Sequence, residues 1–194
     1  LLNDGWLFVE IMNSILLRCG MDSITLDKYR DIFCFPIKDY YIKLGFDLKN
    51  EPFEEYSLEF IKKYEARRYD AQLYPQVLCL LMELKIIGFS HSILSAQHQI
   101  LLDDLTKHYN IRSYFIEIIG VNNYYAKSKV ENGLNWMKKL NVNKQKVLMI
   151  GDTEHDFEVA NAMGVDCILL SHGHYSSARL NKIGTTIFKN FDEI

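Results

Sequence analysis

No apolar run in this chain approaches the roughly 20 residues that cross a bilayer as a helix, and no basic, then apolar leader opens it. A membrane-spanning helix is therefore excluded, and a cytoplasmic location is the expectation. Charge of one sign is scarce as well. Against 25 acidic residues stand 22 basic ones among 194, with a formal charge of −3 and no block of like charges. The electrostatic footprint of a nucleic-acid or membrane-surface binder is missing, so small anionic ligands have to be met by local groups. Cysteine is sparse: Cys19, Cys34, Cys79 and Cys167 form no CxxC pair. They sit mostly among apolar neighbours (VLCLLM, VDCILL), which reads as buried reduced thiols rather than a disulfide framework or a zinc site.

Hydrophobic residues make up 48% of the chain, enough for one substantial core with a small accessory lobe. From about residue 6 to 70 the pattern is helical, with Leu7, Ile11, Ser14 and Ile15, then Phe60, Ile61 and Tyr64, at three- and four-residue spacing. Gly20, Pro36, Gly45 and Pro52 punctuate it. VLCLLMELKIIG (77–88) reads as a helix closed by Gly88 in the left-handed conformation. Then the grammar changes. FSHSILS, YFIEIIG, KVLMIG, DCILLS and TTIFK are short apolar or β-branched runs, separated by helical segments. Strands alternating with helices imply an α/β fold with a doubly wound parallel sheet. The expected division is a helical cap over 6–70 and an α/β core over 1–5 and 71–194.

Ligands of such sheets sit beyond the carboxyl ends of the strands, which draws attention to VLMIGDTEHDFEVANAMG (147–164). A buried strand ends at Gly151, Asp152 projects from its tip, and Asp156 lies in the first turn of the next helix. Two carboxylates about 4 Å apart repel by about 4 kcal/mol at an effective dielectric of about 20, so they call for a proton or a cation. Mg²⁺ is the usual cation where phosphate is handled. Alternatively, Asp152 caps the helix while Glu154 and Asp156 complement its dipole. Ser95 ends a second strand, and its hydroxyl with the free backbone N–H groups around Ala96 forms an anion site, or else Ser95 is an N-cap. Ser128, Lys129 and Glu131 have capping-box spacing. A lysine in the first turn opposes the helix dipole and suggests an anionic partner.

These elements, in this order, resemble the haloacid dehalogenase superfamily of phosphohydrolases, over about residues 75–175. GDTEHD is similar to its fourth motif (GDxxxD), Ser95 to its second-motif hydroxyl, and Lys129, or alternatively Lys127, to its third-motif lysine. The 6–70 region resembles the helical cap of phosphoglycolate-phosphatase-like members. The resemblance implies a phosphoric monoester hydrolase: Mg²⁺-dependent hydrolysis of a small phosphorylated metabolite through an aspartyl-phosphate. Asp152, and Asp156 as second ligand or outer partner, would hold the metal; Ser95, Ala96 and Lys129 would bind phosphate. The family's first motif, DxDGT, which supplies the nucleophile, is not in the sequence. LLNDGW resembles the stretch just after that motif in family members, so the first core strand is expected upstream of Leu1.

Asp4 reads as an N-cap in a polar turn, not as a substitute nucleophile. A non-catalytic binding or regulatory relative, or a phosphomutase of the same fold, would share the remaining motifs. Metal-free dehalogenation fits less well, because the two carboxylates would repel an anionic substrate. His172 and His174 read as a rim loop, since two histidines without a third ligand are poor evidence for zinc. Tyr40, Tyr41, Phe46, Phe53 and Tyr56 read as cap core. Neither the specific phosphomonoester nor the oligomeric state follows from the sequence.

Overall fold

The computed structural model describes residues 1–48, 52–122 and 127–194, with the side chains of residues 127 and 128 outside the described set. A short strand β1 (Leu2–Asn3) leads into four helices: α1 (Gly5–Arg18), α2 (Leu26–Ile32), α3 (Ile37–Leu44) and α4 (Phe53–Arg67). In α1, Leu7, Ile11 and Ile15 fall on one face and are buried, together with Met12 and Leu16, as the four-residue spacing predicts. The Thr25 hydroxyl accepts from the Lys28 N–H to start α2, and Gly45 at φ 99° ends α3. Tyr40, Tyr41, Phe46 and Tyr56 are buried, with Phe53 packed against them. Successive rings contact at centroid distances of 4.5–6.3 Å. They form the interior of the helical region, as expected.

After α4 the chain returns as β2 (Gln72–Leu73), which pairs antiparallel with β1, Leu2 opposite Leu73. These two strands were not foreseen; each is too short to leave a periodic signal. There follow α5 (Val77–Ile86), β3 (His91–His98), α6 (Gln99–His108), β4 (Phe115–Val121), α7 (Lys127–Leu140), β5 (Leu148–Gly151), α8 (Glu154–Met163), β6 (Asp166–Leu170), α9 (Ser177–Leu180) and β7 (Thr186–Phe188). All five expected strands are present, and Gly88 stands at φ 95° just past α5. Ser128 lies inside α7 rather than at its N-cap, since the helix starts at Lys127. None of the cysteines is paired, but Cys79 is exposed on the outer side of α5, contrary to the buried-thiol reading. No helix of the described residues is long and apolar enough to cross a membrane.

The parallel sheet comes in two parts. β3 pairs with β4, and β5, β6 and β7 pair in that order, all in parallel. Among the described residues no ladder joins β3 to β5. What bridges them is the helix layer: Met137, Val159, Ala160, Met163 and Val165 enclose both Leu94 of β3 and Met149 of β5. Gly133 of α7 makes this approach possible, because a Cβ there would meet the Met163 Sδ at 2.7 Å and the Leu94 Cδ2 at 3.0 Å. The facing edges of β3 and β5 open into a cleft of about 2030 Å³, above the roughly 300–1,000 Å³ of a small-molecule pocket. Leu148 and Ile150 of β5 are 51% and 38% exposed.

The helical region is not loosely attached. Leu169 of β6, fully buried, shares one apolar cluster with Leu7, Tyr29, Tyr64, Tyr175 and Leu180. Leu169→Ala is expected to lower the unfolding free energy by about 2–5 kcal/mol, measured by urea denaturation, with helical and tertiary signals lost together. A loss under about 1 kcal/mol, below the cost of such cavities, would show that the two regions do not share this core.

Candidate active site

β5 stops at Gly151 because the chain must fold the Asp156 carboxylate back over it. A Cβ at Gly151 would lie 2.3 Å from the Asp156 Cβ. The helix α8 is capped by Thr153, whose hydroxyl accepts from the Asp156 N–H at 3.3 Å. Asp156 Oδ2 in return accepts from the Thr153 N–H at 3.0 Å, the Thr153 hydroxyl at 2.8 Å and the Asp152 N–H at 3.1 Å. The capping alternative thus holds for Asp156, with Thr153 rather than Asp152 at the cap. The sequence reading missed Thr153, although its T-x-x-D spacing to Asp156 is a capping-box signal.

Asp156 Oδ1 is met by the Lys129 ammonium, and both side chains are buried. Burial alone would push the Asp156 carboxyl up. The charge and hydrogen bond of Lys129, then Thr153 and the Asp152 N–H, hold it down at about 2. The lysine that opposes its own helix dipole therefore has its anion within the protein. Lys127, the alternative lysine, has its side chain outside the described residues.

Asp152 is held differently. Its Oδ2 accepts from the His174 N–H at 2.7 Å, and a Cβ at Gly173 would stand 2.0 Å from that oxygen. Only glycine lets the loop backbone lie so close. Asp152 Oδ1 has no hydrogen bond among the described residues. Of the two carboxylates, then, Asp156 has both oxygens occupied and Asp152 has one oxygen open. Ser95 lies within β3, which continues to His98, so it is not the N-cap of α6; its hydroxyl accepts from the Gln97 N–H at 3.1 Å. Ser95, Ala96, Lys129, Asp152 and Asp156 line one cleft at the carboxyl ends of β3 and β5.

The 172–174 loop forms the far wall, and local sequence gave no sign of how it is held. His174 Nε2 lies 3.3 Å from Asp4 Oδ1, and its Nδ1 lies 2.7 Å from the Tyr29 hydroxyl. Asp4 Oδ2 accepts from the Tyr64 hydroxyl at 2.7 Å. Asp4 stands at the N-cap position of α1, but its side chain caps nothing. Burial would raise its carboxyl, yet the bond from His174 and then that from Tyr64 keep it below its ordinary value. Arg30 donates to the carbonyls of Gly173 at 2.9 Å and His172 at 2.8 Å. Tyr74 stacks on His172 at 3.9 Å and donates to its carbonyl. His172 and His174 thus line the cleft, but His174 is tied into the helices.

Among the described residues no three His, Cys, Asp or Glu side chains gather as a ready metal cage. The donor set fits a cation that keeps most of its waters and takes one or two carboxylates, as Mg²⁺ does, with Asp152 Oδ1 as the open oxygen.

Asp156→Asn would leave Lys129 buried without its counter-charge, and is expected to destabilise the protein at neutral pH by about 3–5 kcal/mol. The folded carboxyl lies below its ordinary 3.8, so it adds about 2 kcal/mol of stability above pH about 4, lost as pH falls through about 2. Urea unfolding across that range should show a steeper acid limb in the wild type than in the variant, which keeps only the share of carboxylates such as Asp4; identical slopes would exclude the pairing.

The haloacid dehalogenase-like hydrolase family model matches residues 1–170. A phosphoglycolate phosphatase of Vibrio vulnificus is 28% identical over 105 residues, covering 54% of this chain and 46% of that enzyme. The chain spans about half the length of the curated relatives it matches. A haloacid dehalogenase-like family protein of Streptococcus pneumoniae superposes with a TM-score of 0.83 at 20% identity, covering 98% of this chain and 90% of that one. Protein Tyrosine Kinase A of Mycobacterium tuberculosis gives 0.82 at 21% identity, covering 100% and 90%. With that match over most of its length, and the α/β fold it shares with those structures, the chain belongs to the haloacid dehalogenase-like hydrolases.

Proposed function

We propose that this protein is a Mg²⁺-dependent phosphatase acting on a small phosphomonoester, similar in activity to the phosphoglycolate phosphatases among its relatives. The observation that carries the reading is the open Oδ1 of Asp152, in the same cleft as Ser95 and the Lys129–Asp156 pair. Asp152 would hold the metal, with Asp156 as its outer partner. When bound, Mg²⁺ would neutralise charge on the phosphoryl oxygens.

The chain's own residues account for the remaining positioning. Lys129 has three N–H donors, and one is committed to Asp156. The others are available to a phosphoryl oxygen in the cleft. The pair fixes the ammonium in place, so little reorganisation is needed when substrate charge arrives. The Ser95 hydroxyl, already accepting from Gln97, is free to donate to a second phosphoryl oxygen, and the Ala96 N–H to a third. The aromatic and apolar residues of α2, α3 and the turn between them that line the cleft, among them Tyr29, Phe33 and Ile37, would exclude water and select the substrate's shape.

The nucleophilic carboxylate would come from an extended segment preceding Leu1 and seated between β3 and β5. Edges of β3 and β5 that are unpaired among the described residues, on both sides of that slot, and the exposed Leu148 and Ile150 support this placement. The proposed setting is the cytoplasm.

The test is turnover of p-nitrophenyl phosphate by the full chain with and without EDTA, comparing Asp152→Asn. Activity is expected to vanish with EDTA and to fall by about 10²–10³ in the variant, with an unchanged circular dichroism spectrum. Metal-independent turnover, or full rate in the variant, would refute the mechanism. An encoded chain that starts at Leu1 and hydrolyses nothing would favour the non-catalytic binding reading. Transfer of phosphate between sugar positions would favour the phosphomutase.

A further inference from the structure

We propose that His174 is a positioning residue for Asp152, and that the helical region sets the direction of that carboxylate through it. The inference rests on the reading of Asp152 as the cation ligand.

Among the described residues the carboxylate of Asp152 has one hydrogen bond, from the His174 N–H to Oδ2 at 2.7 Å. The direction of its open oxygen is therefore fixed by that single donor and by the residue's own backbone. The donor sits in a loop with no helix or strand to hold it. Side chains hold it instead. Arg30 takes the two carbonyls just before it, at 2.8 and 2.9 Å. The imidazole of His174 is engaged at both nitrogens, by Asp4 and by the Tyr29 hydroxyl. Arg30 and Tyr29 both belong to α2, and Asp4 opens α1. Tyr64 of α4 steadies Asp4 in turn. Arg30, Tyr29 and Tyr64 come from the helical region, whereas Asp4 and Tyr74 lie in the core segments that flank it, and among the described residues none of these side chains is hydrogen-bonded to the Asp152 carboxylate.

Packing alone does not require this arrangement. Phe8 and Phe33 lie 5.1 and 5.6 Å from the His174 ring, so an apolar side chain would suit those neighbours. Burying a histidine and a carboxylate there instead carries a desolvation penalty that only precise geometry offsets. What the polar pair adds over an apolar contact is direction, since both ring nitrogens are constrained. Gly173 completes the device by letting the loop lie against the carboxylate. By linkage, a cation that uses Asp152 and the docking of the helices on this loop each strengthen the other.

Mn²⁺ serves as the probe, its affinity read from the free-ion paramagnetic resonance signal on the full chain, with melting curves taken alongside. His174→Ala is expected to weaken binding by about 10–100-fold, as removal of an outer partner does. Tyr29→Phe, which deletes a hydroxyl remote from the cation and keeps the ring, should weaken it by a smaller factor in the same direction. His174→Gln, whose amide can still donate to Asp4, should recover part of the loss. Asp152→Asn should abolish binding. If His174→Ala and Tyr29→Phe melt lower but bind Mn²⁺ as the wild type does, the loop is mere packing and the inference falls, while the ligand role of Asp152 stands. Should His174→Ala not fold, Tyr29→Phe decides. Undiminished binding by Asp152→Asn, or none by the wild type, overturns the ligand reading and this inference together.

Discussion

A single buried carboxylate organises the site. Asp156 collects donors from the turn before its helix, from the cap residue Thr153 and from Lys129 on α7. Each of these would be costly to bury alone: an ammonium, a carboxylate and the orphan N–H groups at a helix start. Brought together they satisfy one another, and the demand propagates outward. Gly151 has to lack a side chain, Thr153 has to cap, and α7 has to pass where Lys129 reaches the carboxylate. Because α7 also packs Gly133 against Leu94 and Met163, the same helix that delivers the lysine aligns the two parts of the sheet.

The division of the sheet gives the cleft its character. Parallel strands usually have neighbours on both sides and helices on both faces, so edges of β3 and β5 that face one another present two rows of backbone donors and acceptors. Above the slot, the carboxyl ends of both strands point toward Asp152, Ser95 and the 172–174 loop. The site is thus framed by three separate segments of chain: the β5–β6 ladder ties the tip of β5 to the loop after β6, while among the described residues β3 is held to them by side chains rather than by a ladder. This is a reason for the density of buried polar contacts around His174 and Asp4.

Much of this was legible from the residues. Short apolar runs bounded by glycine and polar turns gave the five parallel strands, since burial on both faces leaves such strands nearly uniform in hydrophobicity. The spacing in GDTEHD placed two carboxylates at the strand tip, and the misplaced charge of Lys129 pointed to an anionic ligand, although the anion it meets in the structure is the Asp156 carboxylate. Other features depend on contacts between distant parts of the chain and left no local trace. Asp4 sits where a cap belongs, yet its carboxylate serves His174. Cys79 lies among apolar neighbours, but the helix turns it outward. Ser95 stands where a helix was expected to begin, and the strand runs three residues further.

The two-residue ribbon of β1 and β2 has a broader consequence. Because Leu2 faces Leu73 and Asn3 faces Gln72, the two ends of the helical block meet each other in one short ribbon, like a loop sewn at a single stitch. Nothing in the parallel strand order depends on how much chain lies between those stitches. A lineage could therefore lengthen, shorten or exchange the intervening block and so alter what enters the cleft, provided the replacement again offered partners for the imidazole and the carbonyls of the 172–174 loop.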